Sequence, residues 1–320
     1  MTIPVRRDRI ALNAIQWINV KADPEDPQSP DLWRYDDPDF RADYPDVLAQ
    51  IRDAGFGAVM MEVLATQTLQ DFGRMIAESG LALAPGYASM PIPEDHRATL
   101  PHGSAERVHW FDGIRRKAEE SNYFGLPTIF LAPEVGWDPQ FVRTNVAVAA
   151  GTAFSQDRLD SQIEFIAEAA EVLHAEGILA GLHNHVGTWI ETEDEIEQTL
   201  AAIPDRLLGA SFDIGHLAWA GIDPVAMLLR HRHRIIDIHL KDLDTGVAAA
   251  SRTEPTPYQV ASDRGLFLEP GLGQLDLVGA LNALPADFGG WVIVEVDKAS
   301  MEPSASAKAS WAWVEATIPA

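Results

Sequence analysis

The stretch from Leu208 to Asp242 limits the fold more than any other part of the chain. It reads Leu-Gly-Ala-Ser-Phe-Asp-Ile-Gly-His up to His216, then a short helical spacer, then Arg-Ile-Ile-Asp-Ile-His-Leu-Lys-Asp up to Asp242. Successive side chains of a strand point to opposite faces. Ser211 and Asp213 therefore share one face of the first run, and Asp237, His239 and Lys241 share one face of the second. Phe212, Ile236, Ile238 and Leu240 point the other way. A strand that is ionisable on one face and apolar on the other needs a polar interior with helices packed outside it. The inner wall of a closed parallel barrel, near its active-site end, meets that need.

The rest of the chain repeats the same alternation. Strands are expected at 9–17, 57–63, 81–87, 126–132, 178–185, 207–214, 234–241 and 290–297. Helices are expected at 44–54, 67–79, 103–122, 157–176, 192–202, 223–231, 275–284 and 303–317. This pattern over 320 residues predicts one α/β domain, residues 1–320, folded as a (β/α)8 TIM barrel. The rival is an open doubly wound sheet, but no Gly-x-Gly-x-x-Gly follows the first strand. Two segments interrupt the rhythm. Residues 20–43 carry Pro24, Pro27, Pro30 and Pro38 among Asp36, Asp37 and Asp39, and read as an acidic loop insertion and a candidate lid. Its aromatic residues Trp33, Tyr35 and Phe40 imply that it packs on something. Residues 243–272, with Pro255, Pro257, Gly265, Pro270, Gly271 and Gly273, read as a long loop at the active-site end.

Composition narrows the function. The chain has no cysteine, so a metal site must use His, Asp or Glu. A formal charge of −24 argues against nucleic acid and anionic membranes as partners. No apolar run of about 18 residues is present, so no membrane span is expected. The charged N-terminus lacks the apolar core of a signal peptide, which points to the cytoplasm.

Four consecutive strand ends carry ionisable clusters: His183 and His185 on the fifth, Asp213 and then His216 on the sixth, Asp237, His239, Lys241 and Asp242 on the seventh, Glu295 and Asp297 on the eighth. Barrel closure brings these ends into one ring. A single strand-end histidine is more often structural than a ligand, and Asp242 reads equally as a helix cap. Four such ends in succession point to a metal or acid/base site, with donors suited to Mn, Mg, Fe, Co or Zn. Glu62 and Glu134, at the ends of the second and fourth strands, are candidates to orient substrate, and Glu134 is also a candidate ligand. Trp17 ends the first strand as either a core residue or a sugar-stacking platform. Glu191, Glu193, Asp194, Glu195 and Glu197 read as the solvated, favourably charged start of a helix. His102, His109, His174, His231 and His233 read as surface residues.

The run from His183 to Glu195, the run from Asp213 to Gly221, the Arg-Ile-Ile-Asp-Ile-His-Leu-Lys-Asp motif, the Glu-Pro-Gly-Leu-Gly-Gln-Leu-Asp run ending at Asp276, and Trp-Val-Ile-Val-Glu-Val-Asp ending at Asp297 together resemble one family. It is the sugar phosphate isomerase/epimerase superfamily of xylose isomerase-like barrels, and the pattern is most similar to its inosose dehydratase-like branch. The likeness is dense from about 178 to 314 and fainter from 9 to 135. It implies a divalent metal, manganese first among Mn, Mg, Co, Fe and Zn, held by His183, Asp213, His239 and Glu295. Most of the superfamily carries Glu where His183 stands, so Glu134 is a candidate to replace or join His183.

The resemblance further implies proton abstraction next to a carbonyl. His185 is then the base, and His216 or Lys241 serves the leaving group. Trp17, Glu62 and Glu134 would contact substrate. Loss of a β-substituent from a keto-sugar or keto-cyclitol, a lyase reaction, is the expected outcome. One alternative is a lyase cleaving 3-oxo-C-glycosides, as in C-glycoside deglycosidases that work with a small β-rich subunit. Others are a ketose epimerase or isomerase and a non-catalytic sugar-binding subunit. A phosphodiesterase of the apurinic-endonuclease type is disfavoured by the acidic charge. The resemblance implies a homo-oligomer, with a hetero-complex that includes a small β-rich subunit as the alternative.

Overall fold

The computed structural model describes residues 3–23, 29, 31–35, 37–90, 101–136 and 140–320. Pro24, Pro27, Pro30 and Asp36 of the expected insertion lie outside these residues. The barrel strands are β1 (Ile10–Leu12), β2 (Ala58–Met60), β3 (Ala82–Ala84 continuing at Tyr87–Met90), β4 (Thr128–Pro133), β5 (Leu179–Leu182), β6 (Leu208–Ala210), β7 (Ile238–Leu240) and β8 (Val292–Val294). All their pairings are parallel, and each strand pairs with its neighbours in sequence. β8 closes on β1 through Ile10↔Val292, Ala11↔Ile293 and Leu12↔Val294. β6 and β7 join through isolated bridges at Ala210↔Ile235 and Asp213↔His239, the second of which sets two expected ligands side by side.

β3 changes partner midway. Its first half pairs with β2 and its second with β4, the break falling at Pro85-Gly86. A side chain at Gly86 would place Cβ 2.5 Å from the Met61 carbonyl, so only glycine lets the two strands pass there. Beyond the break, Tyr87 lines the cavity as the first residue of the second half of β3.

The barrel helices are α1 (Pro38–Ala54), α2 (Leu69–Ser79), α3 (Ala105–Tyr123), α4 (Gln156–Ala175), α5 (Glu193–Ala202), α6 (Pro224–Arg230), α7 (Leu277–Ala283) and α8 (Pro303–Thr317). Local chemistry explains their starts. Thr68 caps α2, Ser104 caps α3, and Thr192 with Glu195 forms a capping box on α5. α1 starts six residues before its expected start because Asp37 caps it and Pro38 supplies the fixed φ of a first helical position. Its residues Phe40, Tyr44, Leu48 and Ile51 are buried. Outward-facing strand residues Phe212, Ile238 and Leu240 join the same large core. Inside the barrel a separate plug of Ala11, Ala58, Met60, Ala84, Phe130 and Ile293 fills the lower part. The interior is thus packed below and polar above, as alternation along the strands requires.

Three expectations are corrected here. Residues 9–17 are not one strand: β1 ends at Leu12 and Ile15–Ile18 is a helical turn. The 20–43 insertion is not a plain loop. It contains an antiparallel ribbon, Asn19–Lys21 against Asp31–Trp33, and then the first turns of α1. The 243–272 segment folds into two short helices, Thr245–Thr253 and Tyr258–Asp263, with Asp242–Leu243 paired antiparallel to Phe267–Leu268. Among the described residues, no helix is long and apolar enough to cross a membrane.

Candidate active site

The ends of β2, β3, β4, β5 and β8 open into a cavity of about 1070 Å³, whose wall includes Tyr87, His183, His185, Tyr258, Glu295 and Asp297. Local folding aims each side chain. His183 and His185 follow β5 with one residue between them, and that residue, Asn184, clamps the next strand end: its amide donates to the Asp213 carbonyl and accepts from the Asp213 N–H at 3.0 Å. Asp213 in turn accepts from the His216 N–H at 3.0 Å, starting the turn that brings His216 back over the cavity. Gly215 leaves room for the stem of Lys241, since a Cβ there would lie 2.8 Å from Lys241 Cβ and Cγ.

The ring has two points of convergence. At the first, Lys241 Nζ lies 2.9 Å from Asp213 Oδ2, 2.7 Å from Glu295 Oε2 and 2.7 Å from Asp297 Oδ1. His216 Nε2 is 3.1 Å from the same ammonium and 3.6 Å from Asp297 Oδ2. Burial works against the charge on Lys241, but Asp213, Asp297 and Glu295 outweigh it and hold its pKa well above the usual lysine value. Burial pushes the Glu295 carboxyl up to about 8, with Lys241 opposing. Asp297 is buried too, yet Lys241 and then His216 hold it well below the ordinary carboxylate range.

At the second point Tyr87 Oη lies 2.8 Å from His239 Nε2, 3.5 Å from His183 Nε2 and 3.4 Å from Glu295 Oε1. Asn13, just beyond β1, donates its amide to the same Glu295 oxygen. Phe130 forms an apolar floor 4.3 Å from the His239 ring. Burial, followed for His183 by His239 and for His239 by Lys241, drives both imidazoles well below the usual histidine pKa, so both are neutral. Their Nδ1 atoms are buried without a hydrogen-bond partner.

The expected catalytic residues come together. The rings of His185 and His216 are 3.7 Å apart between centroids, and donor atoms of His185, His216 and Asp297 lie within 4.8 Å of one another. Burial and then Lys241 lower His185 to about 4, while burial and then His185 lower His216 to about 3. The four expected ligands His183, Asp213, His239 and Glu295 form one ring, but His183 and His239 converge on Tyr87 whereas Asp213 meets Lys241, and Glu295 spans both. Glu62 lines the cavity wall, its carboxyl pushed up by burial to about 7 with Lys117 opposing. Glu134 also lines the wall, raised by burial, and belongs to none of the donor groups among the described residues.

Other residues fall elsewhere. Trp17 is buried, with its indole nitrogen 3.3 Å from Gln50 Oε1, and is no part of the cavity wall, so it packs the core instead of contacting substrate. Asp237 lies lower in the barrel and accepts the Trp291 N–H at 2.7 Å. Asp242 caps no helix; its carboxylate accepts N–H groups of Leu243, Gly271, Gly273 and Leu275 and pins the loop after β7. Glu191 and Glu195 are buried, not solvated, because Arg143 reaches them from the loop after β4. His231 is buried against Glu197 at 3.0 Å. Tyr87, Asn13 and Tyr258 are site residues that motif reading passed over. A polar residue directly after an apolar strand was the available signal for Asn13, and the Pro-Gly break was the signal for Tyr87.

Comparison with known proteins agrees with the barrel fold. The family model for xylose isomerase-like TIM barrels matches residues 48–317. The chain is 27% identical over 278 residues to an inosose dehydratase of Geobacillus kaustophilus, covering 85% of this chain and 86% of that protein. Among solved structures, a xylose isomerase-like TIM barrel protein of Mycobacterium smegmatis in complex with magnesium superposes with a TM-score of 0.64 at 16% identity, covering 98% and 97% of the two chains. The IolI protein with a bound zinc atom superposes with a TM-score of 0.63 at 13% identity, covering 97% and 98%.

Proposed function

Because the chain belongs to the xylose isomerase-like TIM barrel family, we propose that it is a divalent-metal-dependent lyase that removes a proton next to the carbonyl of a keto-sugar or keto-cyclitol and expels the β-substituent. An enzyme of lyase or isomerase/epimerase type is the coarser statement, and the inosose dehydratase relative supports the lyase.

The observation that carries the reading is the state of His185. Its Nδ1 lies 2.7 Å from the Val186 carbonyl, which only accepts, so Nδ1 bears the hydrogen and Nε2 keeps its lone pair. With its pKa lowered to about 4, the ring is uncharged at neutral pH and ready to take a proton. The imidazolium so formed has the Asp297 carboxylate within 4.8 Å to steady it. His216 and Lys241 stand on the same side and can donate to a departing oxygen.

The donor set suits a divalent cation: neutral imidazoles stand beside carboxylates in a thiol-free ring, with His239 Nε2 4.0 Å from Glu295 Oε1. His183, Asp213, His239 and Glu295 would hold it, with manganese as our first choice, and Glu134 is assigned to substrate. When bound, the metal supplies Lewis-acid stabilisation of the enolate charge. Asn13 keeps Glu295 in place, and Phe130 excludes water beneath the imidazoles.

A second reading has one observation in its favour. The cavity, about 1070 Å³, exceeds the roughly 300–1,000 Å³ typical of sites for drug-sized ligands. Trp33 and Tyr35, stacked at 5.7 Å, contribute to its wall. A 3-oxo-C-glycoside, whose leaving group is an aromatic aglycone, would use this space with the same base.

Three assays separate the outcomes: water loss from a keto-inositol, aglycone release from a 3-oxo-C-glycoside, and epimerisation of a free ketose. Turnover of either of the first two, reduced about 10²–10⁴-fold in His185→Ala, is the expected result. Epimerisation alone rejects the lyase, and full turnover by His185→Ala removes His185 as the base.

A further inference from the structure

We propose that Tyr258 is a positioning residue for the proton transfer: its hydroxyl holds the Asp297 carboxylate beside His185, and its ring sets the plane of that imidazole. This rests on the reading above, in which His185 takes the proton, and names a residue that belongs to none of the barrel strands.

Three observations carry it. First, Asp297 is gripped at both oxygens by groups from different segments. Oδ1 lies 2.7 Å from Lys241 Nζ, and Oδ2 accepts the Tyr258 O–H at 3.2 Å. His216 Nε2 stands farther from Oδ2, at 3.6 Å. A carboxylate tied at one oxygen still turns about its Cβ–Cγ bond, and a donor on the second oxygen stops that turn. Donor atoms of His185, His216 and Asp297 lie within 4.8 Å of one another, so a small turn changes which imidazole the charge favours. Second, the Tyr258 ring lies nearly parallel to His185, at 13° with centroids 6.0 Å apart. With Nδ1 on the Val186 carbonyl as well, the base is fixed both in plane and in direction. Third, the surroundings of Tyr258 fix it in turn. It is buried against Trp219 at 4.8 Å and Phe267 at 6.4 Å, in an apolar cluster apart from the main core that also holds Val148, Val186, Leu266 and Val296. Trp219 is pinned by its indole N–H on Ser251 Oγ at 2.8 Å. Packing in this cluster needs only the ring, and phenylalanine would fill the same space. The hydroxyl reaches past the cluster to Asp297 at the cavity wall.

The test uses the full chain and Tyr258→Phe, which removes the hydroxyl and keeps the ring. A crystal structure of the variant should show residue 258 in place and the Asp297 carboxylate turned out of its wild-type orientation. Kinetics are measured on whichever of a keto-inositol, a 3-oxo-C-glycoside and a free ketose the wild type turns over, since each reaction begins with the same proton removal. The expected result is a kcat about tenfold or more lower with KM within about twofold of wild type. In an Asp297→Ala background, where no carboxylate is left to hold, the same substitution should cost less than about twofold. An unmoved Asp297 carboxylate, a wild-type kcat in Tyr258→Phe, or an undiminished loss in the Asp297→Ala background each overturns the assignment. A turned carboxylate in a protein whose wild type accepts none of the three substrates rejects the reaction proposed above and upholds Tyr258 as the group that holds Asp297.

Discussion

Replacing Arg143 with Met should destabilise the protein far more than an average substitution. The guanidinium is fully buried and forks onto Glu195, with Nη2 to Oε1 at 2.6 Å and Nη1 to Oε2 at 3.0 Å. It also donates to the Thr188 carbonyl at 2.9 Å and the Thr152 carbonyl at 2.9 Å, and stands 3.7 Å from Glu191. Methionine fills much of the volume but leaves two buried carboxyl groups without their cation. Breaking a buried pair in this way costs about 3–5 kcal/mol. The carboxylates keep backbone donors, Glu191 N–H and Thr192 N–H on Glu195, and Gly151 N–H and Gly187 N–H on Glu191, which places the cost at the lower end. Urea unfolding should show a loss of about 3 kcal/mol, and the thermal midpoint should drop by roughly 5–10 °C. Glu191, raised by burial to about 7 with Arg143 opposing, should titrate still higher in the variant, so the deficit should shrink as pH falls from 8 to 5. The double variant Arg143→Met, Glu195→Gln should recover part of the loss. Thr188 also hydrogen-bonds the His185 carbonyl at 2.7 Å, so turnover should fall through misplacement of the base. A stability change under about 1 kcal/mol that is independent of pH would refute the claim that this pair is a closed, desolvated clamp.

Two further outcomes follow from the buried groups around the barrel. Asp237 is pushed up to about 7, chiefly by burial, with the Trp291 N–H opposing. Its proton is held more tightly in the folded chain than in the unfolded one, so wild type loses stability as pH rises from about 4 to 7, by about 4 kcal/mol at most. Asp237→Asn should remove that slope, gaining on wild type across this window and no further above it, as equilibrium unfolding at several pH values will show; parallel pH profiles would contradict it. Gly215→Ala sets a methyl group 2.8 Å from the Lys241 stem, so turnover should fall by about tenfold or more while the chain stays folded, and unchanged turnover would show that Lys241 need not hold its place.

Much of the architecture was legible because strand alternation is a local property. Phe212, Ile238 and Leu240 face the helices and Asp213, His239 and Lys241 face inward, whatever the rest of the chain does. Capping is local as well: Thr192 and Glu195 marked the start of α5 within one turn. Burial is not local. Glu191 and Glu195 looked solvated because acidic residues at a helix start usually are, and the cation that buries them comes from another loop, at Arg143. Trp17 read as either a core residue or a platform at a strand end, and the helical turn at Ile15–Ile18 places it in the core.

The amino-acid sequence by itself determined that the chain is a parallel barrel, and that imidazoles, carboxylates and one lysine gather at the ends of its last four strands. Only the tertiary structure decided how that ring is divided, with Lys241 among Asp213, Glu295 and Asp297 on one side and Tyr87 between the two imidazoles on the other. The division depends on distances of about three ångströms between groups on different strands and on how little water reaches them. Coulomb and hydrogen-bond energies change steeply over such lengths and with local dielectric. No spacing along a single strand encodes either quantity.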